Sequence, residues 1–277
     1  MEKYLQLHNK LLDLSHPRVM AIVNVSSDSF YTSYNVSDEE GFLSRVEEMI
    51  HAGADILDLG ACSTRPNSSP ISCEEEWQGL SCALQMIRAH WADIPISVDT
   101  FRARVADLAL QHGADMINDV YGGEADKGMW EVVKKHNVPY VLTHSNTIVE
   151  NTSSEYDSTL SQTLDYLQDR LSYLHRIGVK DVVVDPGFGF GKTLEQNYAL
   201  LRQLEVLRVL QAPVLVGVSR KSMLYKPLQQ TPQDVLPATT ATHMIALQKG
   251  ADILRVHDVE AARQAIKVYE LTYQNNK

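Results

Sequence analysis

HAGADILDLG, residues 51–60, is the stretch on which the fold turns. Gly53 closes a helix, because helices end readily on a residue free to take left-handed backbone angles. ADILDLG, 54–60, then runs on as a strand of nearly unbroken apolar character that ends on a carboxylate and a glycine. The same Gly-Ala-Asp triplet stands at 113–115 and 250–252, each time where a helix ends and a strand begins. Outward from these joints, eight β-branched runs are spaced along the chain: VMAIVN (19–24), ADILDLG (54–60), PISVD (95–99), ADMIND (114–119), VPYVLTH (138–144), DVVVDPG (181–187), PVLVGVS (213–219) and ADILRVH (251–257). Runs that are apolar on both faces suit parallel strands covered by helices; a half-exposed antiparallel strand would alternate.

The segments between the runs read as helices. Ser37 with Glu40, Ser72 with Glu75 and Thr193 with Gln196 each form a capping-box pattern, and Thr231 precedes Pro232 at a first helical position. Leu160, Leu164, Leu167, Leu171 and Leu174 form a core stripe over 157–176, as do Trp77, Leu80, Leu84 and Ile87 over 73–90. Eight β-then-α units without a linker or composition break predict an α/β fold, a closed (β/α)8 TIM barrel in preference to an open doubly wound sheet. One domain is expected to span residues 1–277.

At 277 residues, with 44% hydrophobic and 22% charged, the chain is long enough to bury one large core and is neither disordered nor low in complexity. A net charge of −10 argues against non-specific binding to nucleic acid or anionic membranes, so an anionic substrate needs locally placed cations. The start, MEKYLQLHNKLLDLS, lacks a cationic region followed by an apolar run, and no apolar stretch approaches eighteen residues, so a cytoplasmic protein is expected. Cys62, Cys73 and Cys82 include no CxxC pair, which argues against a disulfide framework or a zinc site.

Active sites of such barrels form at the carboxyl ends of the strands. The runs end there in Asn24, Asp58, Asp99, Asn118, His144, Asp185, Ser219, and Arg255 with His257. Any one of these could simply cap the following helix, but their concentration on one rim exceeds what capping requires. Arg255 and His257, two apart on one strand, face the same way and suit phosphate oxygens, and Arg220 and Lys221 end the preceding strand. Barrel phosphate sites commonly follow strands seven and eight, so a phosphorylated substrate is expected; the competing reading of Arg255 is an ion pair with a rim carboxylate. PGFGFGKT at 186–193 misses the nucleotide-binding pattern GxxxxGK[ST] by one residue, Pro186, and follows a sixth strand instead of opening the fold. Its glycines are better read as allowing close approach of backbone to a ligand, with Phe188 and Phe190 as walls.

Taken in order, NVxxDSF (24–30), STRP (63–66), SVDT (97–100), IND (117–119), DPGFGFGKT (185–193), GVSRKS (217–222) and RVHDV (255–259) resemble the dihydropteroate synthases, pterin-binding TIM-barrel enzymes of folate biosynthesis, over essentially the whole chain. The resemblance implies a transferase that joins 7,8-dihydropterin-6-ylmethyl diphosphate to para-aminobenzoate, giving 7,8-dihydropteroate and pyrophosphate with Mg2+. Asp99, Asn118, Asp185, Lys221, Gly217 and Phe190 match the pterin slot. Asn24, Thr64, Arg255 and His257 match the diphosphate site, with Asn24 also the metal ligand. Phe30, Arg65, Pro66, Phe190 and Ser222 would shape the aminobenzoate pocket. Lys221, Arg255, His257, Asp99 and Thr64 would carry the catalysis. The family further implies a homodimer through outer helices and a sulfonamide target.

The chain departs from the family pattern in three rim loops. Ser27 stands for a proline, Ala61-Cys62 for Gly-Glu, and THSNTIVE (143–150) for a Met-His-Met segment, which leaves His144 open between a role at the rim and simple packing. These departures leave sulfonamide sensitivity and aminobenzoate affinity to experiment. They also keep a non-catalytic pterin-binding paralogue as the competing function.

Overall fold

The computed structural model describes residues 4–8, 10–26, 34–35, 38–61, 71–146 and 156–273. Eight parallel strands form the barrel: β1 (Arg18–Ser26), β2 (Ile56–Gly60), β3 (Ile96–Asp99), β4 (Met116–Asp119), β5 (Tyr140–Thr143), β6 (Val182–Asp185), β7 (Leu215–Val216) and β8 (Ile253–Val256). Each follows the last around the sheet in the order β7-β8-β1-β2-β3-β4-β5-β6, and a parallel bridge from Val184 to Val214 brings the two ends together. The helices between them are α1 (Glu39–His51), α2 (Cys73–His90), α3 (Ala103–Gln111), α4 (Met129–His136), α5 (Tyr156–Ile177), α6 (Leu194–Arg202), α7 (Leu236–Gln248) and α8 (Val259–Tyr273). The expected (β/α)8 barrel is the fold.

The alternation of strand side chains separates two cores. Val19, Leu57, Val98, Ile117, Leu142 and Val184 point out against the helices, while Met20, Ile56, Met116, Val141, Val183 and Ile253 fill the barrel interior. The lower end is plugged by an antiparallel hairpin of Tyr4–Gln6 and Leu11–Asp13, whose Leu5, with Leu14 just beyond it, joins the interior cluster. Three-residue strands carry too little periodicity to be legible in sequence, and the hairpin was not expected.

The Gly-Ala-Asp triplets do more than end helices. Gly53, Gly113 and Gly250 all have φ near +100° (98°, 101° and 98°), the left-handed turn that glycine permits. The aspartate that follows then accepts the backbone N–H at the start of a neighbouring strand: Asp55 from Val19 at 2.7 Å, Asp115 from Ile96 at 2.8 Å and Asp252 from Val214 at 2.8 Å. Arg88 pairs with Asp115 at 2.6 Å and also donates to the Gly113 carbonyl, and Arg263 does the same for Asp55 and Gly53. The repeated triplet is thus a joint that satisfies a strand-edge donor at the amino end of the barrel.

Capping boxes open α2 at Ser72 and α6 at Thr193, as the sequence predicts. Two helix starts differ. Ser37 lies outside the described residues, and α1 is capped by Asp38, which accepts from the Gly41 N–H at 3.1 Å. Thr231-Pro232 opens only a turn, in which the Thr231 hydroxyl donates to Asp234 at 2.5 Å; α7 begins five residues later, where Pro237 supplies the first-turn proline.

His243 on α7 is 1% exposed, and neither ring nitrogen has a hydrogen-bond partner among the described residues. Burial pulls its pKa down to about 4, with Asp258 opposing. The unfolded chain therefore takes up a proton from about pH 6.5 downward that the folded chain refuses until about pH 4, and stability falls as pH falls through that window. His243→Leu is expected to stabilise the protein by about 1–2 kcal/mol at pH 7.5 and by about 2 kcal/mol more at pH 5, read by urea unfolding at the two pH values. An equal gain at both would show that the imidazole already holds its proton in the folded state.

Candidate active site

The parity that fills the interior with Ile56, Met116, Val141, Val183, Leu215 and Ile253 carries two residues further to Asp58, Asn118, Thr143, Asp185, Gly217 and Arg255, at the carboxyl mouth. Ser97 and then Asp99 do the same on β3. Asn24, half-buried, stands at the end of β1 opposite Gly60 in the parallel register. The strand pleat alone brings these side chains to the mouth.

Charge in the mouth is organised around Arg255. Its Nε donates to Asp58 Oδ2 at 2.6 Å and its Nη2 to Asp99 Oδ2 at 2.6 Å. Asp58 is fully buried, and its Oδ2 also accepts from Asn118 Nδ2 at 3.0 Å; its Oδ1 has no partner among the described residues. The competing sequence reading of Arg255, a pair with rim carboxylates, is therefore the state seen here, so a phosphate ligand has to share the guanidinium with two aspartates. Burial works against the guanidinium charge, yet Asp58 and Asp99 outweigh it and hold Arg255 above its usual value. Burial pushes Asp99 up to about 7, Arg255 opposing and Asp58 adding to the rise.

Lys221 crosses the mouth from the other side. Its Nζ donates to the Phe188 carbonyl and lies 4.1 Å from the centroid of the Phe190 ring. Burial draws Lys221 down to about 8, with the charge of Asp185 the main opposing influence, and burial likewise raises Asp185, whose Oδ1 accepts the Gly187 N–H at 2.7 Å. Gly187 has φ +70°, and any side chain there would collide with the His144 carbonyl oxygen, so glycine is required. A Cβ on Gly189, φ +82°, would stand 3.1 Å from Lys221 Cδ, which shows how closely this loop covers the lysine. Gly217 passes Arg255 less closely, a Cβ there standing 3.8 Å from Arg255 Cβ, an ordinary contact distance. Ser222, half-buried, opens the short helix Ser222–Tyr225 directly after Lys221.

Other rim groups are held by neighbouring side chains and backbone. Arg220, at φ +56°, makes a double ion pair with Asp258 at 2.9 and 2.6 Å, so it is not the loose rim cation the sequence suggests. His257, half-buried, has Nδ1 3.1 Å from Ser219 Oγ, and its backbone N–H reaches the same oxygen at 3.2 Å. His144 is buried with Nδ1 3.0 Å from Thr163 Oγ1 and its ring against Tyr166, and burial takes its pKa to about 3; it packs as a neutral imidazole. Lys192 donates to the His144 carbonyl at 3.0 Å and the Gly187 carbonyl at 2.9 Å, so it braces its own loop and does not stand ready for nucleotide phosphates.

Thr64, Arg65, Pro66, Phe30, Cys62 and Ser27 lie outside the described residues. Sequence reasoning noted Asp58 as a strand end but gave it no place in the site; its inward parity with Ile56 was the available signal. Among the described residues no group of three or more His, Cys, Asp or Glu is arranged to hold a metal ion.

A family model described as pterin binding enzyme matches residues 20–257. The chain is 39% identical over 256 residues to the dihydropteroate synthase of Clostridium beijerinckii, covering 91% of this chain and 93% of that one. Its structure is similar to that of a Clostridium difficile dihydropteroate synthase determined with pteroic acid, with a TM-score of 0.86, 34% identity and coverage of 94% and 97%. It is also similar to a Xanthomonas albilineans dihydropteroate synthase determined with 4-aminobenzoic acid, with a TM-score of 0.88, 34% identity and coverage of 98% of each chain.

Proposed function

The chain belongs to the pterin binding enzymes, and from that premise we propose that it is a dihydropteroate synthase, a transferase joining a dihydropterin-methyl diphosphate to para-aminobenzoate. The observation that carries this reading is the mouth itself, where Asp99, Asn118 and Asp185 face Lys221 and Arg255 across one slot. A pterin edge alternates donors and acceptors. Carboxylates of Asp99 and Asp185 accept its N–H groups, the Asn118 amide both donates and accepts, and the Lys221 ammonium donates to the ring carbonyl. Phe188, fully buried, and Phe190 supply walls. Gly217 leaves room beside Arg255.

The reaction breaks the bond between the pterin methylene and the diphosphate oxygen and forms one to the aminobenzoate nitrogen, which then loses a proton. Diphosphate loss runs ahead of attack: the methylene cation is delocalised into the ring and faces the slot carboxylates, while the departing anion meets Arg255 and His257. The neutral aniline needs no strong base and no covalent enzyme intermediate forms. Catalysis is then leaving-group stabilisation and alignment of two bound substrates. Thr64, from the second rim loop, joins the diphosphate site in this reading. Phe30, Arg65, Pro66, Phe190 and Ser222 form the aminobenzoate pocket, where a sulfonamide would compete.

Mg2+ prefers six oxygens, keeps several waters and shares substrate phosphates in place of a full protein cage. The donor present fits that mode, since Asn24 offers one amide oxygen at the end of β1. Bound with the diphosphate, Mg2+ supplies neutralisation of leaving-group charge.

Association as a homodimer, which the family resemblance implies, would cover the groove of about 620 Å3 between the outer helices α6 and α7, lined by Leu194, Tyr198, Leu201 and Ile245. Both substrates are small molecules, and no nucleic acid or membrane partner is involved. No described helix is long and apolar enough to cross a membrane.

The test is pyrophosphate release from the pterin diphosphate with Mg2+, with and without aminobenzoate, the product identified by mass spectrometry. Aminobenzoate-dependent release of pyrophosphate together with dihydropteroate is expected. Pterin binding without product would instead establish the non-catalytic paralogue.

A further inference from the structure

Asp58 is the most buried ionisable group of the mouth, with no exposed surface. One of its oxygens, Oδ2, receives both the Arg255 Nε–H and the Asn118 amide, at 2.6 and 3.0 Å. These two partners have different tasks in the function proposed above, on which this inference rests: Arg255 meets the diphosphate and Asn118 the pterin edge. A guanidinium has its donors in one rigid plane, so fixing Nε and Nη2 fixes the direction of the remaining N–H groups. Asp99, the second acceptor of Arg255, is 14% exposed and is itself a pterin ligand in this reading, so its hold on Arg255 changes when substrate enters. Asp58 has no such second duty.

The geometry points to Asp58 as a positioning residue: its buried carboxylate holds the Arg255 guanidinium and the Asn118 amide in one fixed relation, so that the diphosphate and pterin halves of the substrate are read in register. Its Oδ1, unpartnered among the described residues, fits this role, because a carboxylate kept only for local stability would be expected to satisfy both oxygens.

Inorganic pyrophosphate isolates the anion half of the site and needs no turnover. Its binding is to be measured by calorimetry for the unaltered protein, Asp58→Asn, Arg255→Ala and the double variant, each checked for folding by circular dichroism. Asp58→Asn keeps the shape, and is expected to weaken pyrophosphate binding at least tenfold where Arg255 is present and less than twofold where it is absent, since Asp58 acts through Arg255. Equal losses in both backgrounds would make Asp58 a structural group, and tighter binding by Asp58→Asn would mean that the carboxylate competes with the anion; either result overturns the proposal. Should Asp58→Asn fail to fold, Asp58→Ala with added formate takes its place: recovery of affinity with formate supports positioning, and none refutes it. If the unaltered protein takes up no pyrophosphate, the diphosphate site falls and this proposal with it, whereas binding with additive losses sinks the positioning role alone.

Discussion

Arg255→Ala is expected to lower kcat/KM for the pterin diphosphate by about 100- to 1,000-fold, the loss that follows removal of a preorganised group facing charge that develops in a transition state. Most of the effect should fall on kcat, because the leaving diphosphate carries more charge as the bond breaks than it does in the bound substrate. KM for aminobenzoate should stay within about twofold, as that amine approaches from the far side of the methylene. The same substitution leaves Asp58, fully buried, and Asp99 without the cation between them. Removing one member of such a buried set costs about 3–5 kcal/mol, so a fall in denaturation midpoint should accompany the kinetic loss. The two can be separated by steady-state kinetics well below the new midpoint: normal turnover by folded Arg255→Ala would displace the diphosphate site from β8.

How much of this was legible in the sequence depends on whether a residue's place follows from the strand pleat. Asn118, Asp185 and Arg255 were readable because each lies two residues from an interior apolar side chain, Met116, Val183 or Ile253, and Asp99 follows the inward Ser97 by the same step; the barrel turns that parity into convergence at the mouth. Asn24 followed from the same count on β1. What a strand pattern cannot give is the partner on another strand. Asp58 and Arg255 are 197 residues apart, and only the closed ring, with β8 beside β1 and β1 beside β2, brings them within 2.6 Å. Sequence left Arg255 open between phosphate and carboxylate, and the fold shows the carboxylate pairing, with Asp58 and Asp99.

Local signals misled where they were short. Thr231-Pro232 has the look of a helix start, yet five residues on Pro237 offers the same first-turn proline beside residues that bury Thr239 and His243 against the barrel, and the helix begins there. The GKT of residues 191–193 resembles a phosphate loop until Lys192 is seen donating to two carbonyls of its own neighbourhood. The N-terminal hairpin shows the opposite failure. Leu5 and Leu14 close the lower end of the barrel, but six strand residues carry no detectable period.

Lys221→Ala should lower kcat/KM for the pterin diphosphate by about 10- to 100-fold, the worth of one hydrogen bond from a charged donor to a buried ring carbonyl. Its sharper signature is in pH. The carboxylate of Asp99 has to be ionised to accept an N–H, so activity should fall as pH drops through about 7. The Lys221 ammonium has to keep its proton to donate, so activity should fall again as pH rises through about 8. Plotted as kcat/KM, which reports the free enzyme, the two limbs enclose a narrow optimum. Lys221→Ala should remove the alkaline limb and leave the acid limb nearly in place, since Asp99 owes its rise first to burial and not to the lysine. A merely structural lysine would lower activity at every pH without changing the shape of the curve. An alkaline limb that survives the substitution would place the donor to the ring carbonyl elsewhere, and Lys192, which burial lowers to about 7, would be the next group to change.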